Sequence, residues 1–177
     1  MSKVKLFCII GFFWTAAAGV ILHFTYDWSG GNSFVGLFSA VNESIWEHMK
    51  LLFFPIFAVS AAAYPFFRRK YPPFLTCCAF AAVAAMFFQT SAYYTYSGIA
   101  GKDIAWVNIA IFFISAALWS VLSFYLIKKN IKTGSLWGLA IFCGISVCFF
   151  YFTNNYPDLG IFREPFQTAV TQLSFNL

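Results

Sequence analysis

The segment AVNESIWEHMKLLFFP (residues 40–55) runs from two glutamates, a histidine and a lysine straight into apolar sequence. From Trp46 the chain stays apolar to Phe67, broken only by Pro55 and Pro65 after the opening polar residues. A run of about 20 predominantly apolar residues is the length that crosses a bilayer as a helix. The charged start of this run therefore lies at a membrane surface or just inside it.

The rest of the chain repeats the pattern. Apolar runs cover residues 5–26, 74–96, 104–127 and 136–152, separated by DWSGGNS, RRKYPP, SGIAGKD and KKNIKTGS. A polar tail, TNNYPDLGIFREPF, follows the last run. Of the 177 residues 61% are hydrophobic and only 10% charged, and the mean hydropathy is +0.75. Soluble domains are roughly 45–50% apolar, and a chain of this length could not hide the excess from water. A spanning helix satisfies its own backbone hydrogen bonds, whereas a membrane β-barrel needs short alternating segments that are absent here. The expectation is an all-α integral membrane protein, one transmembrane domain over residues 1–177, built as a bundle of five transmembrane helices. The first run continues past the small residues TAAAG to Phe24, which suits an anchor better than a cleaved signal peptide.

Charge sets an expected orientation. Lys3, Lys5, Arg68, Arg69, Lys70, Lys128, Lys129 and Lys132 fall at alternate ends of the runs, on one side, which the positive-inside rule makes cytoplasmic. The N-terminus is then inside and the C-terminus outside. Asp27, Glu43, Glu47, Asp103, Asp158 and Glu164 all land on the outer side, with His23 and His48. The net charge of +5 reflects a basic inner rim facing anionic lipid, not a nucleic-acid surface. Cys8, Cys77, Cys78, Cys143 and Cys148 lie within apolar runs, without a CxxC motif, and read as packing residues.

Within the opening segment, Ser39 or Asn42 is the expected N-cap, with Glu43 in the first helical turn, where it favours the positive end of the helix dipole. Glu43 and Glu47, four apart, then share a face and repel by roughly 0.2–0.5 kcal/mol, which Lys50 on the same face offsets. His48 is rotated away from Glu47 and stacks with Ser44. Glu43, Glu47 and His48 therefore do not all reach one ligand, and other elements must face them. His23 and Asp27, four apart at the outer end of the first run, supply one such face. Gln89, Tyr93 and Tyr96 turn the third run polar at the same depth, Asp103 and Asn108 open the fourth, and Asp158, Arg163 and Glu164 lie in a tail that Pro157, Gly160 and Pro165 fold back. In GGNSFVGLFSAV, Phe34, Leu37, Phe38 and Val41 keep helical spacing, so this segment is expected to lie at the outer interface as a short amphipathic helix. Pro55 is expected to bend the second span toward a partner.

Ionisable groups beside spans usually face a cavity or one another. The candidate binding residues are His23, Asp27, Glu43, Glu47, His48, Lys50, Gln89 and Asp158. His23, Asp27, Glu43, Glu47 and His48 are also candidate ligands for a divalent metal, although Glu-x₃-Glu-His matches no established metal signature. Three readings follow: rim residues in water; a site that binds or passes a small polar or cationic species, including a lipid headgroup; and a metal-dependent or acid–base hydrolase or transferase acting at the outer leaflet.

The stretch HFTYDWSGGNSFVGLFSAVNESIWEHMKLLFFP resembles the N-terminal signature of an uncharacterised family of small bacterial multi-pass membrane proteins, and YPDLGIFREP is similar to that family's closing motif. The matching string is Asn42-Glu43-Ser44-x-Trp46-Glu47-His48, and family members often carry Pro where this chain has Ala40. The resemblance implies a bacterial cytoplasmic-membrane protein and no particular activity.

Overall fold

The computed structural model describes residues 2–164. Pro165, one of the residues expected to turn the tail, lies outside them. Among the described residues the chain forms α1 (Lys3–Trp28), α2 (Ser33–Gly36), α3 (Ile45–Phe67), α4 (Phe74–Ala100), α5 (Ala105–Lys129), α6 (Ser135–Asn154) and one 3₁₀ turn (Gly160–Phe162), with no strand. All but α2 of the α-helices, with 20 to 27 residues each, are long and apolar enough to cross a membrane. Large apolar side chains such as Phe13, Phe87, Trp106 and Leu136 stand exposed on their outer faces. Lipid solvates such faces and water does not, and the chain reads as a multi-pass membrane protein.

Two of the helices end on a left-handed residue. Gly101 (φ 65°) closes α4 and Asn130 (φ 47°) closes α5, since only Gly, and Asn less readily, adopts that backbone at low cost. The start of α3 differs from the expected one. Ser44, not Ser39 or Asn42, is the N-cap, and its hydroxyl accepts the Glu47 N–H at 3.4 Å. The other two residues are already engaged. Ser39 Oγ accepts the Tyr26 N–H and its hydroxyl donates to the Leu22 carbonyl, fastening the loop to α1. Asn42 Oδ1 accepts the Ser44 N–H at 2.9 Å. Glu43 thus precedes the helix, and the expected helical face shared by Glu43 and Glu47 does not exist. The interfacial helix is likewise shorter than its apolar spacing suggests. α2 is a single turn capped by Asn32, after which Phe38 turns inward onto Phe54 and Phe150 while Phe34 stays exposed.

Four helices close a ring in which α1 and α4 each pack against both α3 and α5; α6 lies outside it, chiefly against α4. Lipid gives no hydrophobic drive between helices, so close packing of small residues carries the association. α4 presents Ala79, Ala81, Ala82 and Ala85, all fully buried. At Gly11 a Cβ would come within 2.8 Å of the Trp119 ring, which crosses the interior of the ring of helices from α5. Trp119 also packs on Phe7 of α1 and donates to the Cys78 carbonyl of α4. α3 continues through Pro55, whose missing N–H leaves the Leu51 carbonyl without its helical donor. Gly19 of α1 lies against that carbonyl, since a Cβ there would sit 2.6 Å from it, and Trp14 donates to the Pro55 carbonyl at 3.0 Å. These contacts bring α1 and α3 to near backbone distance just below the end of the ring that carries His23 and His48.

The joint between α4 and α6 is closer still. The Thr76 hydroxyl inserts into the first turn of α6, donating to the Gly134 carbonyl and accepting the Gly138 N–H at 2.9 Å. A Cβ at Gly138 would lie 2.2 Å from the α4 backbone at Leu75 and Thr76, whereas one at Gly144 would meet nothing within 4 Å. Gly138→Val is therefore expected to cost more than the usual ~1–3 kcal/mol of overpacking and to lower the melting temperature in detergent sharply. Gly144→Ala is expected to leave it unchanged or raise it. Equal melting temperatures for the two variants would refute the close joint.

Candidate functional site

Two charged residues of the opening segment turn inward and fix the loop between α1 and α3. Lys50 has no exposed surface, and its Nζ lies 2.5 Å from Glu47 Oε2. It also donates to the Gly36 carbonyl at 2.7 Å and to Thr153 Oγ1 of α6 at 3.1 Å. Glu47, 2% exposed, accepts the Val41 N–H at 3.0 Å. A buried ion pair is tolerated when further hydrogen bonds satisfy both partners, and here those bonds come from the loop backbone. Lys50 therefore neutralises Glu47 alone. It does not bridge both glutamates as their spacing suggested.

Glu43, freed from the helix, hangs over the outer end of the ring. Its Oε2 lies 3.4 Å from His48 Nε2 and its Oε1 lies 4.0 Å from His23 Nε2. The two imidazoles are 5.3 Å apart between centroids. One ligand-type atom from each of the three residues falls within 4.8 Å of the others. His48 Nδ1 sits 3.0 Å from the Ser44 carbonyl. A carbonyl only accepts, so Nδ1 donates to it and Nε2 is the ring nitrogen turned toward Glu43. The cause is local: Ser44 and His48 are one helical turn apart, so the first turn of α3 orients its own histidine. His23 Nδ1 is buried without a partner, and no protein group fixes its tautomer in the same way.

Beneath these three residues lies a partly open cavity of about 430 Å³ bounded by α1, α3, α4 and α5. Leu51, Ile111 and Phe112 line it deeper in, and Gln89, Tyr93, Asp103 and Asn108 line it on the side of α4 and α5. Gln89 is 4% exposed; its Nε2 donates to the His48 carbonyl at 3.4 Å and its Oε1 accepts no hydrogen bond. The Tyr96 hydroxyl joins Asp103 and Asn108 and accepts the Ile104 N–H, closing the loop from α4 to α5.

The sequence-predicted residues thus separate. His23, Glu43, His48 and Gln89 surround one cavity. Glu47 and Lys50 form a buried pair beside it, and Glu47 is not among the donor atoms that converge with the histidines. Asp27, exposed at the end of α1, stands outside the cluster. Asp158 is exposed too and pairs at 2.8 Å with Arg163, whose hydrogen bond and charge hold its carboxyl below the usual range. The tail does fold back, since Phe162 packs on Trp46, but its described residues bring no polar side chain to the cavity. Ser39 and Thr153 were missed as anchors of the loop. Thr153 carried a signal, being a hydroxyl at the end of an apolar run, but its partner lies 103 residues away.

Removing one partner of a buried ion pair typically costs ~3–5 kcal/mol, while replacing both with apolar groups is often neutral. Lys50→Met is expected to lose stability on that scale, and Glu47→Leu with Lys50→Met together to recover part of it. Melting of the single and double variants in detergent checks this, and strictly additive losses would refute the pairing.

No curated protein and no solved structure matches the chain. A model of the family of unknown function DUF6512 matches residues 1–170, almost the entire sequence, and the chain belongs to that family.

Proposed function

We propose that this protein is a multi-pass protein of a bacterial cytoplasmic membrane, with the N-terminus inside, and that its outward-facing cavity binds a divalent transition-metal cation through His23, Glu43 and His48. The observation that carries the reading is the convergence of these three residues, from α1, the loop and α3, around one point, with His48 Nε2 turned toward Glu43 by the bond from Nδ1 to the Ser44 carbonyl. Two imidazoles and one carboxylate form a zinc-type donor set. A backbone acceptor on the far nitrogen is the usual support for a metal-bound histidine. With bonds of about 2.0–2.2 Å, a tetrahedral site has edges near 3.4 Å, the His48–Glu43 separation. His23 Nε2 lies 4.0 Å from the other carboxylate oxygen, Oε1, and with one donor atom per residue the three fall within 4.8 Å of one another, so a bound ion would draw the donors inward.

Binding is favoured over passage. Trp119, fully buried, spans the ring from α5 to α1 and α4 below the cavity, so the structure supports a cup rather than a pore. A second reading, a metal-dependent hydrolase or transferase, is favoured by one feature. Three protein donors leave a coordination position open, and Gln89 and Tyr93 line the same cavity.

Purified protein is expected to take up one zinc per chain. Glu43→Gln and His48→Ala are expected to weaken it by about a hundredfold or more, beyond the 10–100-fold typical of outer partners. Asp27→Asn and Asp158→Asn are expected to leave it unchanged. Calorimetric titration in detergent measures this, and undiminished affinity in His48→Ala would refute the site.

The orientation is tested separately. Topology reporters fused after Arg69 and after Lys129 are expected to report the cytoplasm, and one fused after Gly101 the outside. The same signal from Arg69 and Gly101 would refute it.

A further inference from the structure

The cavity has a side opening that a soluble ligand does not need. Val20 and Phe24 of α1 and Ile109 and Phe113 of α5 line it, and all four are also exposed on the outer face of the bundle. Both helices are long and apolar enough to span the bilayer. Their outer face is then in contact with lipid, and the slot between them joins the cavity to the hydrocarbon phase.

The polar groups of the cavity gather at its outer end. Glu43, His23 and His48 form one wall there, and Gln89 and Tyr93 stand across from them. A divalent cation held by one carboxylate and two neutral imidazoles keeps a net positive charge, which favours an anionic oxygen at its open position. Gln89 adds a second requirement. Its amide nitrogen donates to the His48 carbonyl, which can only accept, so Oε1, buried and without a partner among the described residues, is the acceptor left for a donor from a ligand. An unpaired buried acceptor is costly, so a ligand that supplies the donor gains selectivity. The cavity volume of about 430 Å³ falls within the ~300–1,000 Å³ of ligand pockets. It accommodates a headgroup and the first part of a chain, and the remainder of a long chain would extend through the slot.

We propose that the cavity binds a membrane phospholipid with an anionic phosphate and a hydroxylated headgroup, entering sideways between α1 and α5. A phosphate oxygen meets the cation on His23, Glu43 and His48, a headgroup hydroxyl donates to Gln89 Oε1, and the acyl chain lies against Val20, Phe24, Ile109 and Phe113. This inference deepens the cation-binding reading and rests on it.

The test uses full-length protein in detergent. Zinc content is measured first without added lipid. Binding of dioctanoyl phosphatidylglycerol, dioctanoyl phosphatidylcholine and inorganic phosphate is then titrated by native mass spectrometry. The zinc-loaded protein is expected to hold phosphatidylglycerol about tenfold or more tighter than phosphatidylcholine. Ile109→Trp and Val20→Trp, which fill the slot from its lipid side, are expected to weaken phosphatidylglycerol by a similar factor at unchanged zinc content. The unchanged zinc content shows that these variants keep the site folded. Gln89→Leu is expected to reduce the preference over phosphatidylcholine while zinc is retained. Zinc uptake with no preference between the lipids, with slot variants that bind lipid normally, or with inorganic phosphate binding as tightly as phosphatidylglycerol overturns the lipid inference and leaves the cation site standing. Absence of zinc uptake overturns the cation reading, and with it the headgroup coordination.

Discussion

The buried ion pair of Glu47 and Lys50 is the constraint on which the outer half of the molecule depends. Two charges with almost no exposed surface are tolerated in a bundle of apolar helices when their mutual pairing and further hydrogen bonds meet their bonding needs. Lys50 meets its own with Glu47, the Gly36 carbonyl and Thr153, and Glu47 takes the Val41 N–H. One i,i+3 pair on α3 therefore fixes both limbs of the preceding loop and ties them to α6. Glu43 comes two residues after Val41, and the same anchoring leaves it extended over α1. The pair takes no direct part in the cluster of His23, Glu43 and His48, yet it positions the carboxylate of that cluster.

Much of the fold was legible because membrane helices announce themselves by length and hydropathy. The apolar runs at residues 5–26, 46–67, 74–96, 104–127 and 136–152 each fall largely within a long helix. Periodicity was misleading only at residues 34–41, where the apolar spacing ran on although the helix stops at Gly36. There, tertiary bonds to Ser39 and Lys50 outweigh local amphipathicity. The position of the α3 cap failed for a related reason. Ser39, Asn42 and Ser44 are all good caps by type, and the choice between them was made by α1, which claims the Ser39 hydroxyl through Tyr26 and Leu22.

The candidate site was legible as a set of residues but not as a partition. Spacing separated His48 from Glu47, because residues one apart point about 100° from each other on a helix. It could not show that Glu43 lies off the helix and so joins the histidines rather than Glu47. Nor could it show that Asp27, on the same helical face as His23, ends in solvent one turn beyond the cavity. Both depend on where the helices end relative to one another, which is set by contacts between residues far apart in sequence, such as Gly19 with Leu51.

The ring of helices divides along its length by side-chain volume. Towards the cytoplasmic end proposed for it, Phe7, Trp119 and Phe74 interlock, and Gly11 admits the indole at backbone distance. Towards the other end Gly19 is again small, but the facing ring of Phe112 stops against it and Gln89 and Tyr93 take the place of bulky apolar groups. The α1 backbone meets α3 at Gly19, so the two helices converge there while the polar ends beyond it remain apart. The close-packed half anchors the helices from which His23, His48 and Gln89 project at the other end. That division explains why so few charged residues are concentrated in one segment. The bundle needs them only where its packing stops.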